Sequence, residues 1–384
     1  MNIILSLPYL IAQLIQTSIK FFNKGSGNTL PGYFILKVFP NILSHPKLTF
    51  NKGVILISGT NGKTTTSKFV SHVLENSGYK VLNNVTGANL FNGIVSTIIL
   101  GSNILGKFDY DYGVFEVDEI FLPKLLKYLK PRYLLLLNLS RDQLDRSGEI
   151  DIIYSKWLEA VSKLESCTLI LEESRSQFNS IAHAFKGPVL YFNSVTEILG
   201  NSKLKGSFNA KNLNAGALVL KGEGILDDDI LKLSKTFQPA FGRGEHIDYR
   251  SNRFKLFLAK NPESFNNNLK LVKNDFEESG IFFIIFNSEI PDGRDVSWIY
   301  DIETNLLKEV LGNKKIIVAG KRVYDFAVRL QYAGLQNETL YYSEKVTDAL
   351  EYISNNFENS EVVCLPNYSA MLELRKNLTG RKLL

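Results

Sequence analysis

Residues 54–66 read VILISGTNGKTTT, an apolar run that passes straight into a Gly-Thr-Asn-Gly-Lys-Thr turn. Val54-Ile55-Leu56-Ile57 has the length of a buried strand, and the residues after Lys63 read as a helix. A strand, such a turn and a helix together make a phosphate cradle. Backbone N–H groups around Gly59 to Thr64 would wrap phosphate oxygens, Lys63 would add a point charge, and the Thr64 hydroxyl would face a magnesium ion. Gly59, Thr60, Asn61, Gly62, Lys63, Thr64 and Thr65 are therefore candidate residues for binding a nucleoside triphosphate. The common GxxxxGK[ST] pattern needs glycine at position 57, where this chain has Ile57, so the match is to a shorter GTNGKT form.

Outward from this loop the chain alternates strand and helix. After VILIS come a helix over about 64–77, the strand YKVLNN, a helical stretch near 92–100 and the strand YGVFEVD. A helix around 120–129, the strand RYLLLLNLS, a helix near 151–164 and the strand TLILEE follow. Strands separated by helices of this length predict βαβ units and a mainly parallel sheet covered on both faces. Helices near 210–221 and 226–235 lead to PAFGRGEH at 239–246, which reads as a hinge or a domain boundary. Beyond it FKLFLAK, IFFIIFN, KKIIVAG, LYYS and EVVCLP alternate with helices, predicting a second, smaller α/β domain. The expected division is an N-terminal segment 1–50, a central domain 51–240 and a C-terminal domain 241–384.

Composition narrows the class. At 384 residues, two or three domains are expected, and 45% hydrophobic with 22% charged residues describes an ordinary globular protein. A net charge of +5 is small for this length and does not argue for nucleic acid. Cys167 and Cys364 are the only cysteines, which excludes a disulfide framework and a four-thiolate zinc site and fits a reducing, cytoplasmic setting. Residues 2–22 are mostly apolar but lack the flanks of a signal peptide and are broken by Pro8, Gln13, Gln16 and Lys20. Ile11, Leu14, Ile15 and Ile19 recur at helical spacing, which suits a helix packed on its own domain or one resting on a membrane surface. The uninterrupted apolar stretch is too short to span a bilayer.

Three polar clusters follow strands, where ligands of open α/β sheets collect. In GVFEVDE, Glu116 and Asp118 would share one face as alternate strand residues and Glu119 would take the other; a magnesium ligand or an exposed acidic patch both fit. Asn138, Arg141, Asp142, Gln143, Asp145 and Arg146 suit a polyanionic ligand with a metal, and equally a helix cap with ion pairs. Asp292-Gly293-Arg294-Asp295, followed by Trp298, suits an Asx-turn with an ion pair as well as a site.

Taken together these residues resemble the Mur ligases, ATP-dependent enzymes of peptidoglycan synthesis that form amide bonds. GTNGKTTT is similar to that family's phosphate loop, NLSRDQLDRSGEID to its motif after a central strand, and GSFNAKNLNA (206–215) to its nucleotide motif. GANLFNG (87–93), FEVDE (115–119), AFGRGE (240–245), DGRDVSWIYD (292–301), AGKRVYDFAVRLQYAGL (319–335) and NYSAMLELR (367–375) resemble the MurT branch, the ligase-like subunits of lipid II isoglutaminyl synthases. The resemblance implies a Mur-ligase-like central domain and a Rossmann-like C-terminal one. It also implies amidation of the D-glutamate α-carboxylate of lipid II to D-isoglutamine, through an acyl phosphate made with ATP and Mg²⁺.

The resemblance also implies that ammonia comes from a separate GatD-like glutaminase; Cys167 and Cys364 sit in apolar, strand-like contexts that suit inert thiols. By the same resemblance Lys63 and Thr64 bind phosphate and magnesium, Glu116 is the metal ligand, and Asn209, Asn212 and Arg243 lie near the nucleotide. Asp292 or Asp295 would reach the glutaminase site. Three features set the chain apart within the superfamily. It has no four-cysteine zinc ribbon, so no zinc is expected. Leu171-Glu172-Glu173-Ser174 stands where many relatives have Asn-x-Asp-Asp-Pro, and Gln143 stands where most Mur ligases have histidine, an exchange that belongs to the MurT pattern. Another amino-acid ligase of the superfamily, such as a folylpolyglutamate synthase, and a nucleotide-binding scaffold without turnover are the competing readings.

Overall fold

Side chains alternate along each apolar strand, and both faces they reach are covered. In the computed structural model, which describes residues 3–22, 28–84, 88–140, 150–194, 197–239, 241–275, 280–289, 292–293, 295–336 and 338–380, twelve strands form two six-stranded sheets. The first contains β1 (Gly53–Ser58), β2 (Val81–Asn83), β3 (Tyr112–Val117), β4 (Tyr133–Leu136), β5 (Thr168–Glu172) and β6 (Val189–Phe192). Their order is β2-β3-β1-β4-β5-β6 and every pairing is parallel. Leu56, Phe115, Leu134 and Leu169 point to one face, where helices Ile3–Phe21, Leu30–Val38, Phe91–Gly101 and Ile150–Ser162 pack. Ile55, Ile57, Val114, Leu135 and Ile170 point to the other, under helices Lys63–Asn76, Ser207–Gly222 and Asp227–Thr236. Each such buried aliphatic side chain contributes about 1.5–3 kcal/mol, so two-sided burial explains the near-continuous apolar strands.

The second sheet contains β7 (Arg243–Tyr249), β8 (Asn252–Phe257), β9 (Ile281–Ile285), β10 (Lys315–Ala319), β11 (Thr339–Ser343) and β12 (Glu361–Pro366). Their order is β11-β10-β9-β12-β8-β7, and only β7 and β8 pair antiparallel. The doubly wound α/β architecture read from the sequence is thus present twice.

Some local readings change. The segment PAFGRGEH is not simply a hinge: β7 begins inside it, at Arg243, and hairpins onto β8. The helix expected over 120–129 is four residues long, Leu122–Leu125, and gives way to turns. The N-terminal stretch is a helix over Ile3–Phe21, but Leu14, expected in its packed stripe, is exposed, and Leu5 and Ala12 are the residues in the core.

The order of the first sheet fixes where a ligand can bind. From β1 the chain leaves toward β2 on one side, and from β4 toward β5 on the other, so the crevice lies beyond the ends of β1 and β4.

Candidate active site

The loop after β1 is laced to the segment after β4. Thr60 N–H donates to the Asn138 carbonyl at 3.0 Å, and Asn61 N–H donates to Asn138 Oδ1 at 2.8 Å. Asn138 Nδ2 returns a hydrogen bond to the Asn61 carbonyl at 2.9 Å, and Ser140 N–H donates to Thr60 Oγ1 at 3.0 Å. Within the stretch expected to wrap phosphate, the amides of Thr60 and Asn61 instead hold the loop to the segment after β4. What faces the crevice is the N-terminus of helix Lys63–Asn76, whose orphan N–H groups and dipole favour an anion. Gly62, at φ +92°, makes the entry; a Cβ there would stand 2.1 Å from Asn212 Oδ1. No other residue fits that contact.

Lys63 and Thr64 each meet a carboxylate from the end of β3. The Lys63 ammonium donates to the Gly59 carbonyl and lies 2.9 Å from Glu119 Oε2. The Thr64 hydroxyl donates to Glu116 Oε2 at 2.5 Å. Glu116 is only 2% exposed, and Asn84 fixes its backbone by accepting from its N–H and donating to its carbonyl, both at 2.9 Å. Burial pushes the Glu116 carboxyl above its ordinary value, and the Thr64 hydrogen bond and the charges of Lys63, Lys260 and Lys68 pull the other way. The expected pairing of Glu116 with Asp118 is not what forms. β3 ends at Val117, so strand alternation stops there; Asp118 closes an Asx-turn on the Ile120 N–H, and the chain turns to bring Glu119 onto Lys63.

Helix Ser207–Gly222 forms one wall. Asn212 lies against Gly62, and its carbonyl accepts from the Thr66 hydroxyl at 3.1 Å. Asn209 is 4% exposed; its Nδ2 donates to the Lys205 carbonyl at 2.7 Å, while its Oδ1 is buried with no partner among the described residues. A buried acceptor left open costs about 1–3 kcal/mol unless a ligand fills it.

The opposite wall belongs to the second sheet's half of the molecule. Arg243, at the start of β7, together with Glu263, Ser264 and Asn268, lines the same cleft as Asn61, Gly62, Asn209 and Asn212. The cleft is partly open to solvent and has room for water-sized spheres over about 100 Å³. Burial lowers the Arg243 guanidinium from its ordinary value, and the Glu116 charge opposes that shift. The two halves also touch directly: Asn61 and Asn261 exchange side-chain amide hydrogen bonds, at 3.4 and 3.2 Å.

A bridging network lies beside them that the sequence did not signal. Glu172, at the tip of β5, accepts from Lys211, from Ser174 at 2.7 Å and from Arg175 at 3.0 Å, and Arg175 reaches on to Glu263. Burial would raise the Glu172 carboxyl, but these donors outweigh it and hold it below the ordinary range. The rule that singled out Glu116, an acid at the C-terminal end of a core strand, applies equally to Glu172; its partner Glu263 is invisible locally.

The two aspartates after β9 part company. Asp292 is buried: Oδ1 accepts from the Ser369 N–H at 2.9 Å, and Oδ2 from the Glu289 N–H at 3.1 Å and the Ser369 hydroxyl. Asp295 is half-buried and accepts from the Ser297 N–H at 2.8 Å. Arg141, Asp142, Gln143, Asp145, Arg146 and Arg294 lie outside the described residues. Cys167 and Cys364 are buried, and burial lifts the Cys167 thiol to about 11 and Cys364 well above its ordinary value, so neither is a ready nucleophile.

Comparison with known proteins agrees with this geometry. Residues 57–198 match the Mur ligase middle domain, and residues 258–371 match the MurT ligase C-terminal domain. Over 92% of its length and 93% of the relative's, the chain is 29% identical to the lipid II isoglutaminyl synthase (glutamine-hydrolyzing) subunit MurT of Staphylococcus aureus (strain COL). It is 26% identical to the subunit of the same name from Streptococcus pneumoniae (strain ATCC BAA-255 / R6), over 94% of both chains. Among solved structures, the MurF ligase of Thermotoga maritima in complex with ADP superposes with a TM-score of 0.66 at 13% identity, covering 91% of this chain and 83% of that one. Two domain matches, to the Mur ligase middle domain and the MurT ligase C-terminal domain, and an alignment over 92% of the chain agree in likening it to the MurT subunits.

Proposed function

We propose that this chain is the ATP-dependent ligase subunit of a lipid II isoglutaminyl synthase, converting the D-glutamate α-carboxylate of lipid II to D-isoglutamine. The observation that carries the reading is the pairing of Lys63 and Thr64 with Glu119 and Glu116 at a helix N-terminus, inside a cleft walled by both halves of the molecule. The full-length alignment with proteins named as that subunit supports the substrate.

A carboxylate is a poor electrophile because its oxygen leaves badly. A carboxylate oxygen of the substrate attacks the γ-phosphorus of ATP, ADP leaves, and an acyl phosphate results. Ammonia then attacks the acyl carbon and phosphate departs with the bond pair. Lys63, swinging from Glu119, and the N-terminus of helix Lys63–Asn76 offset the charge spread over the transferred phosphoryl oxygens. The open Asn209 Oδ1 accepts an N–H from the nucleotide, and Arg243 supplies positive charge across the cleft. The Thr64 hydroxyl and Glu116 carboxylate are hard oxygen donors side by side and suit magnesium, which takes one or two protein ligands plus phosphate oxygens. When bound there, magnesium would neutralise phosphate charge. No zinc is proposed, since Cys167 and Cys364 lie in different sheets' cores.

Ammonia is supplied by a GatD-like glutaminase partner. Of the two aspartates, Asp295 is proposed to meet it, being the more exposed; Asp292 is buried and held by Ser369 and Glu289. The test is to purify the chain with its glutaminase and follow glutamine-dependent amidation of lipid II and ADP release. Wild type should show both and Lys63→Ala neither; full activity in Lys63→Ala, or ATP turnover unaffected by lipid II, would overturn the reading.

A further inference from the structure

Residues 1–74 contain no aspartate or glutamate, whereas Lys20, Lys24, Lys37, Lys47 and Lys52 all fall within the first 52. The two helices in this stretch carry apolar residues on the side away from the protein as well as on the side toward it. In helix Ile3–Phe21, Leu5, Pro8 and Ala12 are buried, while Leu7, Leu10, Leu14 and Phe21 form a second stripe at helical spacing that stays exposed. Leu14 is 68% and Phe21 81% exposed. Helix Leu30–Val38 repeats the arrangement: Pro31, Gly32 and Ile35 are buried, and Leu30, Tyr33, Phe34 and Val38 face out.

These helices are firmly seated, so the outward stripe is not a loose end. Gly32 packs so closely on helix Phe91–Gly101 that a Cβ would stand 1.9 Å from the Asn92 carbonyl oxygen, and its N–H donates to Ser96 Oγ at 2.7 Å. The two helices also contact each other. Large apolar side chains clustered on adjoining surface helices mark a docking face. No helix among the described residues is long and apolar enough to cross a membrane.

We propose that the outer face of helices Ile3–Phe21 and Leu30–Val38 docks on an anionic lipid bilayer. Leu7, Leu10, Leu14 and Phe21 enter the boundary between headgroups and acyl chains, and the exposed Lys37 and Lys47 meet lipid phosphates. Lys37, whose ammonium lies 4.6 Å from the Tyr33 ring centre, combines the two features in one helix. Docking by this face does not depend on the ligase reading, and its test is separate from amidation.

The experiment is co-sedimentation of the full chain with vesicles of phosphatidylcholine alone and of phosphatidylcholine with phosphatidylglycerol. Binding to the anionic vesicles, weak binding to the zwitterionic ones and loss at high salt are expected. Leu14→Asp with Phe21→Asp should lower the partition coefficient about tenfold or more, with an unchanged melting temperature because both sites are exposed. Lys37→Gln with Lys47→Gln should lower it roughly fivefold per charge at low salt. Equal binding to both vesicle types, no binding to either, or wild-type binding by the Leu14 and Phe21 double variant would overturn the proposal. So would a dimer in light scattering that the same double variant dissociates, since a second copy would then be the occupant.

Discussion

Glu116, near the C-terminal end of β3, and Asp292, in the loop after β9, are both buried carboxylates, one in each half of the molecule, and burial pushes both above the usual carboxylate range. Their partners differ. Glu116 takes one neutral hydrogen bond, from Thr64, and otherwise feels cations: Lys63, Lys260 and Lys68. Asp292 takes three neutral hydrogen bonds, two from Ser369 and one from Glu289, and the charge of Glu289 repels it. The first is a carboxylate among positive groups with lone pairs to spare, as a metal and phosphate site requires. The second is a staple joining the loop after β9 to the start of helix Tyr368–Thr379. Strand-end position alone does not distinguish the two roles; the chemistry of the donors does.

The largest effect should come from the cation that faces the transferred phosphoryl group. Lys63→Ala is expected to lower the rate constant for ATP-dependent amidation by on the order of 10²–10³, measured in single turnover so that nucleotide binding and chemistry separate. Because the Ala variant also leaves Glu119 without its partner, Lys63→Arg is the control: charge without the ammonium's size should restore folding stability more than rate.

Glu116→Gln keeps an acceptor for Thr64 and removes the charge. The magnesium concentration needed for half-maximal ATP turnover should rise at least about tenfold, with ADP release as the readout. Asp292→Asn should leave that requirement untouched. If both variants shift it equally, the distinction drawn between the two carboxylates fails.

This contrast marks how far the sequence could be read. The β1 strand and the loop at 58–66 were legible because their chemistry is local: an apolar run, two glycines, a lysine and a threonine. Asn209 and Asn212 were legible by motif. Glu119 was misread because strand alternation was carried two residues past Val117, where β3 ends. β7 was missed because RGEHIDY is charged and only partly buried, so an edge strand looked like a loop. Arg175 with Glu263, and Asn61 with Asn261, are 88 and 200 residues apart, and only the docking of the two halves brings them together.

A smaller effect, on stability, belongs to the staple. Asp292→Asn replaces one acceptor oxygen by a donor facing the Ser369 hydroxyl or the Glu289 N–H, and should cost about 1–3 kcal/mol, seen as a lower denaturation midpoint. Its pH dependence has a definite sign. Folding raises the Asp292 carboxyl above its ordinary value of 3.8, so the folded state holds the proton more tightly than the unfolded one. That contribution is fully present below the unfolded value and is lost as pH rises through the folded one. The gap between wild type and Asp292→Asn should therefore narrow from acid toward neutral pH; a gap that widens would mean the three hydrogen bonds, not burial, govern the carboxyl.

The smallest effect on the isolated chain, and the sharpest on its partner, is expected at Asp295. It is half-buried and accepts from the Ser297 N–H, a bond that the remaining oxygen of Asp295→Asn can still take, so the melting temperature should change less than for Asp292→Asn. Glutamine hydrolysis by the reconstituted pair should nonetheless fall if this carboxylate enters the glutaminase site, while amidation from added ammonium salt stays near wild type. Asp292→Asn should lower both activities together, in proportion to the protein lost to unfolding. Equal losses from the two sources of ammonia in Asp295→Asn would assign it to the ligase half and leave the partner's site to some other group.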